Sequence, residues 1–211
     1  MFLKSSLAAE SAPVIGGDGI YLRTPQVGDY PQWAAVRERS RAFLTPWEPT
    51  WPLDDLSRPS FKRRIKRYQR EIRDDSGYAF FMFNTLDDAL LGGIRLSNVR
   101  RGVAQTCSLG YWMGQDHANK GHMTAGVTAV VSFIFDVLNL HRIEAACLPH
   151  NNASIRLLEK VGFQFEGRAR SYLCINGLWQ DHLLFALVES DLRQRDSKTG
   201  VLAGTRIGER T

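Results

Sequence analysis

The sequence predicts a mixed α/β fold in which a central, mostly antiparallel sheet of six to seven strands carries helices on both faces and holds one parallel strand pair. Three observations lead there. Runs at Tyr78–Asn84, Ala89–Val99 and Thr106–Met113, the last alternating and aromatic-rich, read as consecutive strands of an antiparallel meander. An apolar stripe at Met123, Val127, Val130, Val131, Ile134 and Leu138 follows at three- and four-residue spacing, the period of a helix. A further strand-like run, His141–Leu148, comes after it, and a strand–helix–strand crossover places its two strands parallel.

With 211 residues, 44% of them hydrophobic, the chain suits one domain with a sizeable core. We expect a flexible arm over residues 1–17, the domain over 18–192 and a flexible tail over 193–211, the last being rich in Gly, Ser, Thr and Arg without periodicity. No apolar run reaches the length that spans a bilayer, and Ser5 and Ser6 interrupt the weak apolar patch of the first residues, so neither a membrane span nor a signal peptide is expected. Cys107, Cys147 and Cys174 are odd in number, lack metal-ligand spacing and fall in predicted strands. They read as buried thiols of a protein in a reducing cytoplasm.

Taken in order, Ile20–Arg23 alternates as a first strand and Pro25 ends it. Asp29 is placed to cap a helix carrying Trp33, Val36 and Phe43, stopped by Pro46. Thr45–Leu53 then holds three prolines and two tryptophans, which makes it stiff and too apolar for a solvated loop. It reads either as a plug on the core or as a wall of a binding groove. From Ser57 to Asp74 an amphipathic helix turns Phe61, Ile65, Tyr68 and Ile72 inward, while eight Lys and Arg side chains between Arg58 and Arg73 cover its other faces. Such a face is either simply solvated or a phosphate-binding surface, and the net charge of +5 is compatible with both. Gly92 and Gly93 mark a bulge or a close backbone approach within the second meander strand. Farther on, Asn151 suits the N-cap of a short helix closed by Gly162, and Gln164–Cys174 with Gln180–Val188 form a hairpin about Asn176-Gly177.

Between Met113 and the helix that begins near Met123 lies Gly114-Gln115-Asp116-His117-Ala118-Asn119-Lys120-Gly121-His122. The first N–H groups of a helix lack intrahelical partners and the helix dipole adds positive charge there, so a phosphate or pyrophosphate satisfies both. Gly121 permits close backbone approach and Lys120 supplies a cation at the rim. The competing reading is an ordinary strand-to-helix turn, and Asp116 favours it, because a carboxylate beside a phosphate would have to point away. The loop is neither a Walker phosphate loop nor a dinucleotide fingerprint, since it lacks their glycines.

The run Pro149-His150-Asn151 to Val161-Gly162-Phe163 resembles the acetyl-coenzyme A core of the GNAT N-acetyltransferases, in which an Asn opens a short helix that closes on Leu, Gly and Phe. Phe43–Pro49, Ser97–Gly102, Leu109-Gly110-Tyr111 and Gly177–His182 further resemble the Rim-type members, which acetylate N-termini of ribosomal proteins; the likeness runs from residue 18 to 192. The resemblance implies the GNAT fold, whose parallel strands splay so that the cofactor's pantetheine arm enters the gap. It implies acetyl-coenzyme A as cofactor, held by Trp112, Met113, Asn119, Lys120, Gly121, His122, Met123, Thr124 and Asn151. Trp47, Glu48 and Asp181 would meet the acceptor, which is a ribosomal-protein N-terminus or, as a second reading, a small amine such as a polyamine, amino acid or antibiotic. A third reading is a ribosome- or RNA-binding factor acting through the 58–73 helix, and the chain is expected as a monomer or homodimer.

Acetyl transfer requires an amine held against a thioester, a stabilised oxyanion, a base for the amine and an acid for the leaving thiolate. The commonest GNAT acid, a Tyr on the short helix, is replaced here by Leu158. Rim-type sequences instead carry a Ser three residues after the helix-opening Asn, which is the spacing of Asn151 and Ser154. A helix-start serine bonded only to backbone is the bland alternative. Glu144 is the candidate base, with an ion pair to Arg142 or Arg168 as its alternative role, and Asp181 and His182 could equally be structural. In the pyrophosphate loop Ala118 and Asn119 depart from the family's usual Gln/Arg and second Gly.

Overall fold

The structure, a computed structural model, describes residues 14–192. The expected tail over 193–211 and the arm up to residue 13 lie outside the described residues. Eight strands form one sheet in the order β1-β2-β3-β4-β5-β6-β8-β7. They are β1 (Ile15–Gly17), β2 (Ile20–Arg23), β3 (Tyr78–Asn84), β4 (Leu90–Arg100), β5 (Thr106–Met113), β6 (Arg142–Cys147), β7 (Gln164–Ile175) and β8 (Leu178–Val188). Every pair is antiparallel except β5 with β6. The mixed sheet is thus as expected, with one strand more. Ile15–Gly17, assigned to the arm, instead pairs with β2, where Gly19 at φ +67 makes the tight turn that no side-chain pattern announced.

Helices α1 (Tyr30–Arg39) and α3 (Arg58–Arg73) cover one face, with the short α2 (Arg41–Leu44) following α1; α4 (His122–Ser132) and α5 (Asn152–Val161) cover the other. The alternation along β3 explains the two layers. Phe80 and Met82 join Val127, Val130 and Ile134 of the α4 layer, whereas Ala79, Phe81 and Phe83 pack with Trp33, Phe61 and Ile65. Buried on both faces, β3 is apolar at nearly every position.

Two helices differ from their expected form. The helix begun at Asp29 breaks at Ser40, which leaves helical geometry at φ −96, ψ 7 and accepts a 2.9 Å hydrogen bond from the Gln115 amide. That bond docks the break against the loop before α4, and Phe43 ends up exposed instead of in the core. Asp29, in turn, spends its carboxylate on Arg23 and the Gln26 amide, not on capping α1. Helix α4 continues past Ser132 as a π-helical turn, Phe133–Val137, closed by the Leu138 amide on the Phe133 carbonyl. Widening the helix lets Phe133, Ile134 and Phe135 all face the core in succession. Among the cysteines, Cys107 and Cys147 are buried as expected, but Cys174 is exposed because β7 is the edge strand and most of its side chains face solvent.

Candidate active site

Strands β5 and β6 pair from Thr106↔Arg142 to Leu109↔Ala145 and then part. Beyond that point β5 runs on to Met113 beside β4, and Ala146 and Cys147 of β6 pair with β8. The end of β5 is held tightly against β4, because a Cβ at Gly92 would stand 2.4 Å from the Trp112 carbonyl oxygen and one at Gly93 2.7 Å from the Trp112 indole nitrogen. The glycine pair therefore serves close approach of β4 and β5. Beside Gly92, the register of β3 on β4 also shifts, so a bulge accompanies it.

A cleft of about 510 Å³ opens where the strands part. Along one side run Met113, Asn119, Lys120, Gly121, His122, Met123 and Thr124. Asn119 at φ +59 and Gly121 at φ +84 turn the chain into α4, whose first intrahelical bond is from the Ala125 amide to the Gly121 carbonyl. The His122, Met123 and Thr124 amides thus precede the helical ladder and present donors and partial positive charge at the cleft. Asp116 is drawn off to Arg39 at 3.4 Å and does not line the cleft, which removes the objection it raised to an anion here. Burial and the nearby Lys120 hold the His117 imidazole below its usual pKa, leaving the rim cation to lysine at neutral pH.

The facing wall is the start of α5. Asn151 Oδ1 accepts the Ser154 amide at 3.1 Å, as an N-cap does, and Gly162 at φ +112 closes the helix. Ser154 Oγ lies 2.6 Å from the Tyr111 hydroxyl, which reaches it from the part of β5 that has left β6. Burial pushes the Tyr111 phenol well above its usual pKa, so it stays protonated. Cys147 sits beside Ser154 and is buried, which raises its thiol pKa as well. Tyr111 was not among the expected site residues. The signal that could have found it is strand alternation, which puts Leu109, Tyr111 and Met113 on the α4 and α5 side and Trp112 on the other.

Phe43, Leu44, Trp47, Glu48 and Trp112 close the far end. Glu48 accepts from both terminal nitrogens of Arg37 at 2.7 Å each and from the Trp51 indole at 2.7 Å. Arg37 is only 6% exposed and lies 4.1 Å from the Trp51 ring centre and 5.0 Å from that of Trp112. The carboxylate expected to greet an amine is thereby neutralised by a cation that sequence reading passed over. Thr45–Leu53 is accordingly a groove wall, partly exposed, and not a core plug.

The remaining candidates stand apart from the cleft. Glu144 lies within the paired part of β6 and bonds Arg142 at 3.1 Å with Arg100 at 3.6 Å, so its ion-pair alternative describes it. Asp181 accepts from the Ser171 amide and Arg168, securing the bulge between Ala169 and Leu173 on β7. His182 is buried, with Nδ1 2.9 Å from the Gln180 carbonyl. The other twelve candidate residues all line the one cleft: Ser154, Trp112, Met113, Asn119, Lys120, Gly121, His122, Met123, Thr124 and Asn151, together with Trp47 and Glu48 at the acceptor end.

Comparison with known proteins agrees with this geometry. The family described as Acetyltransferase (GNAT) domain matches residues 20–164. The chain is 36% identical over 181 residues to Bacillus subtilis YjcK, named a probable N-acetyltransferase, a match covering 86% of this chain and 100% of that one. It is 36% identical over 152 residues to the ribosomal protein uS5-alanine N-acetyltransferase of Escherichia coli, covering 72% of this chain and 78% of the relative. Among solved structures, Mycobacterium smegmatis RimJ in complex with CoA-disulfide superposes with a TM-score of 0.80 at 27% identity, covering 90% of this chain and 94% of that one.

Proposed function

The chain belongs to the GNAT acetyltransferases, and from that premise we propose that it acetylates the N-terminal α-amino group of a protein, with a ribosomal protein as the acceptor the relatives' names favour. The observation that carries the reading is the cleft between parted parallel strands, with the free amides of α4 at one end and an apolar, charge-neutral wall at the other. Acetyl-coenzyme A supplies an activated acyl thioester when bound. The residues present fit it: the His122, Met123 and Thr124 amides and Lys120 would hold the diphosphate, and the unpaired edge of β5 from Gly110 to Met113 offers backbone groups to its extended arm. Ala118 and Asn119 leave this cradle intact because its donors are backbone amides and Asn119 itself adopts the left-handed turn.

The chain's own groups then divide the work. Phe43, Leu44 and Trp47 fit a small apolar N-terminal residue, while the Arg37–Glu48 pair leaves no unpaired carboxylate there for a polyamine. An α-amine has a pKa near 8, so water at the cleft mouth suffices to remove its proton and no buried base is required. Ser154, at the head of α5, is the donor to the leaving sulfur. Transfer is direct, in a ternary complex, since none of Cys107, Cys147 and Cys174 lines the cleft.

Titrating the protein with acetyl-coenzyme A in a calorimeter, then following thiol release with an alanine-starting ribosomal N-terminal peptide and with spermidine, tests the proposal. Binding with peptide turnover supports it. Spermidine turnover in place of peptide would transfer the reading to small amines, and an absence of cofactor binding would sink both.

A further inference from the structure

We infer that Tyr111 is a positioning residue that orients the Ser154 hydroxyl toward the cofactor's sulfur, a role resting on the acetyltransferase reading above. The two oxygens stand 2.6 Å apart across the gap where β5 has left β6. A serine hydroxyl has one proton and rotates freely about its C–O bond, so by itself it donates to whichever acceptor is nearest. Its backbone amide is already committed to Asn151 Oδ1, which fixes the Cα–Cβ direction but leaves the hydroxyl rotor open. A neighbouring phenol settles the rotor. Burial keeps the Tyr111 phenol protonated. Either oxygen of this pair can donate; with the phenol donating its single proton to Ser154 Oγ, the serine proton is the one left to point elsewhere, into the cleft.

The consequence concerns charge on sulfur. When the thioester C–S bond breaks, the electron pair stays on sulfur, and a pre-aimed O–H stabilises it without any proton leaving Ser154 or Tyr111. No ion forms on the protein, which matters because a phenolate in this buried position is disfavoured. Cys147 also lies within hydrogen-bond reach of Ser154, but as a buried thiol it is only a weak acceptor for the serine proton.

Free coenzyme A tests this without any acceptor or turnover. If an oriented O–H meets the sulfur, the bound thiol ionises more readily than in water, and affinity rises as pH goes from 7 to 9. Arg156 and Lys160 on α5, Glu48 at the rim, and His117, Lys120 and His122 on the loop also face the cleft. Desulfo-coenzyme A meets all of them equally, so the ratio of the two affinities isolates the sulfur. We expect the wild-type ratio to grow by about three- to sixfold across this range, since a hydrogen bond to a charged group worth about tenfold is felt in full only well above the free thiol's pKa. Tyr111→Phe and Ser154→Ala should each abolish the growth while leaving desulfo-coenzyme A binding unchanged, and the double variant should match either single one.

A Tyr111→Phe protein that keeps the growth overturns the assignment and leaves the acetyltransferase reading intact. Loss in Tyr111→Phe with retention in Ser154→Ala overturns it too, because the phenol would then act on sulfur itself. A wild-type protein that binds neither ligand overturns the cofactor reading and this inference together. In turnover, kcat should fall in Tyr111→Phe while KM for acetyl-coenzyme A holds.

Discussion

At the scale of single residues, the acceptor end of the cleft is governed by a pair that sequence reading saw only half of. Glu48 was legible because it is the one charge in an apolar, proline-stiffened stretch. Arg37 was not, because its role depends on two tryptophan faces and a carboxylate brought together only by the fold. Breaking such a pair leaves one charge stranded, so Arg37→Met is expected to cost about 3 kcal/mol in denaturant unfolding, and Glu48→Gln added to it should restore part of the loss. Additive losses in the double variant would show the two side chains to be independent. A second residue-scale case is Asp75, which accepts from Arg101 at 2.7 Å and from the Tyr78 hydroxyl at 2.7 Å. The Arg101 hydrogen bonds, with Tyr78's, hold its carboxyl below the usual range. An acid whose folded pKa is depressed stabilises the fold above its unfolded pKa and loses that contribution as pH falls through the folded value. Because the side chain is 40% exposed, solvent screening limits the gain to about 1 kcal/mol or less. Asp75→Asn should therefore be less stable than wild type at pH 7, with the gap closing as unfolding is measured at pH 4, 3 and 2; a gap that persists at pH 2 would mean that packing, not charge, explains it.

Elements were more legible than their interactions. The α4 loop could be read because its chemistry is backbone chemistry, and strand, glycine and apolar helix period announce it in order. The break at Ser40 and the π turn at Phe133 could not, since each answers to tertiary demands, a loop amide in one case and three consecutive buried side chains in the other. Helix α3 shows the same limit. Its eight cations looked alike in sequence, yet Arg63 pairs with Asp54, Arg64 with Asp55 and Arg67 with Glu71, while Arg58 lies over Tyr30. Lys62, Lys66, Arg70 and Arg73 are exposed and form no ion pair among the described residues. Steps of four residues space the first three about 6 Å apart along the helix. The reading of α3 as a ribosome-contacting face thus narrows to these residues. Replacing Lys62, Lys66 and Arg70 by Ala should weaken binding to ribosomal RNA and flatten its salt dependence by up to about one unit of slope per lost phosphate contact, at little cost in stability. Replacing Arg63, Arg64 and Arg67 should do the reverse. Equal effects of the two triples, or no salt-dependent binding by the wild type, would return the face to plain solvation.

For the whole molecule, the parting of β5 and β6 divides the sheet into a five-stranded part and a three-stranded part that share only the short ladder from Thr106 to Leu109. The helices α4 and α5 span the division on one face, and their apolar side chains belong to the same core as both strands. The cleft thus lies where the ladder between the two parts stops, and a ligand that bonds the edge of β5 and the start of α4 would act on both parts at once. Binding to the folded state alone stabilises by about 2.7 kcal/mol at a hundredfold excess over Kd. For a chain of this length that corresponds to a rise in Tm of about 5–10 °C. Acetyl-coenzyme A should produce such a shift in one cooperative transition, and amide hydrogen exchange should slow at residues 110–113 and 122–124 before it slows anywhere else. Gly121→Val forces a branched side chain into the left-handed backbone region at φ +84 and should reduce the shift markedly while leaving the unliganded core strands as protected as before. A full shift in that variant, or protection confined to regions remote from the cleft, would mean that the ligand is held elsewhere and that the gap between the strands serves only the packing of the sheet.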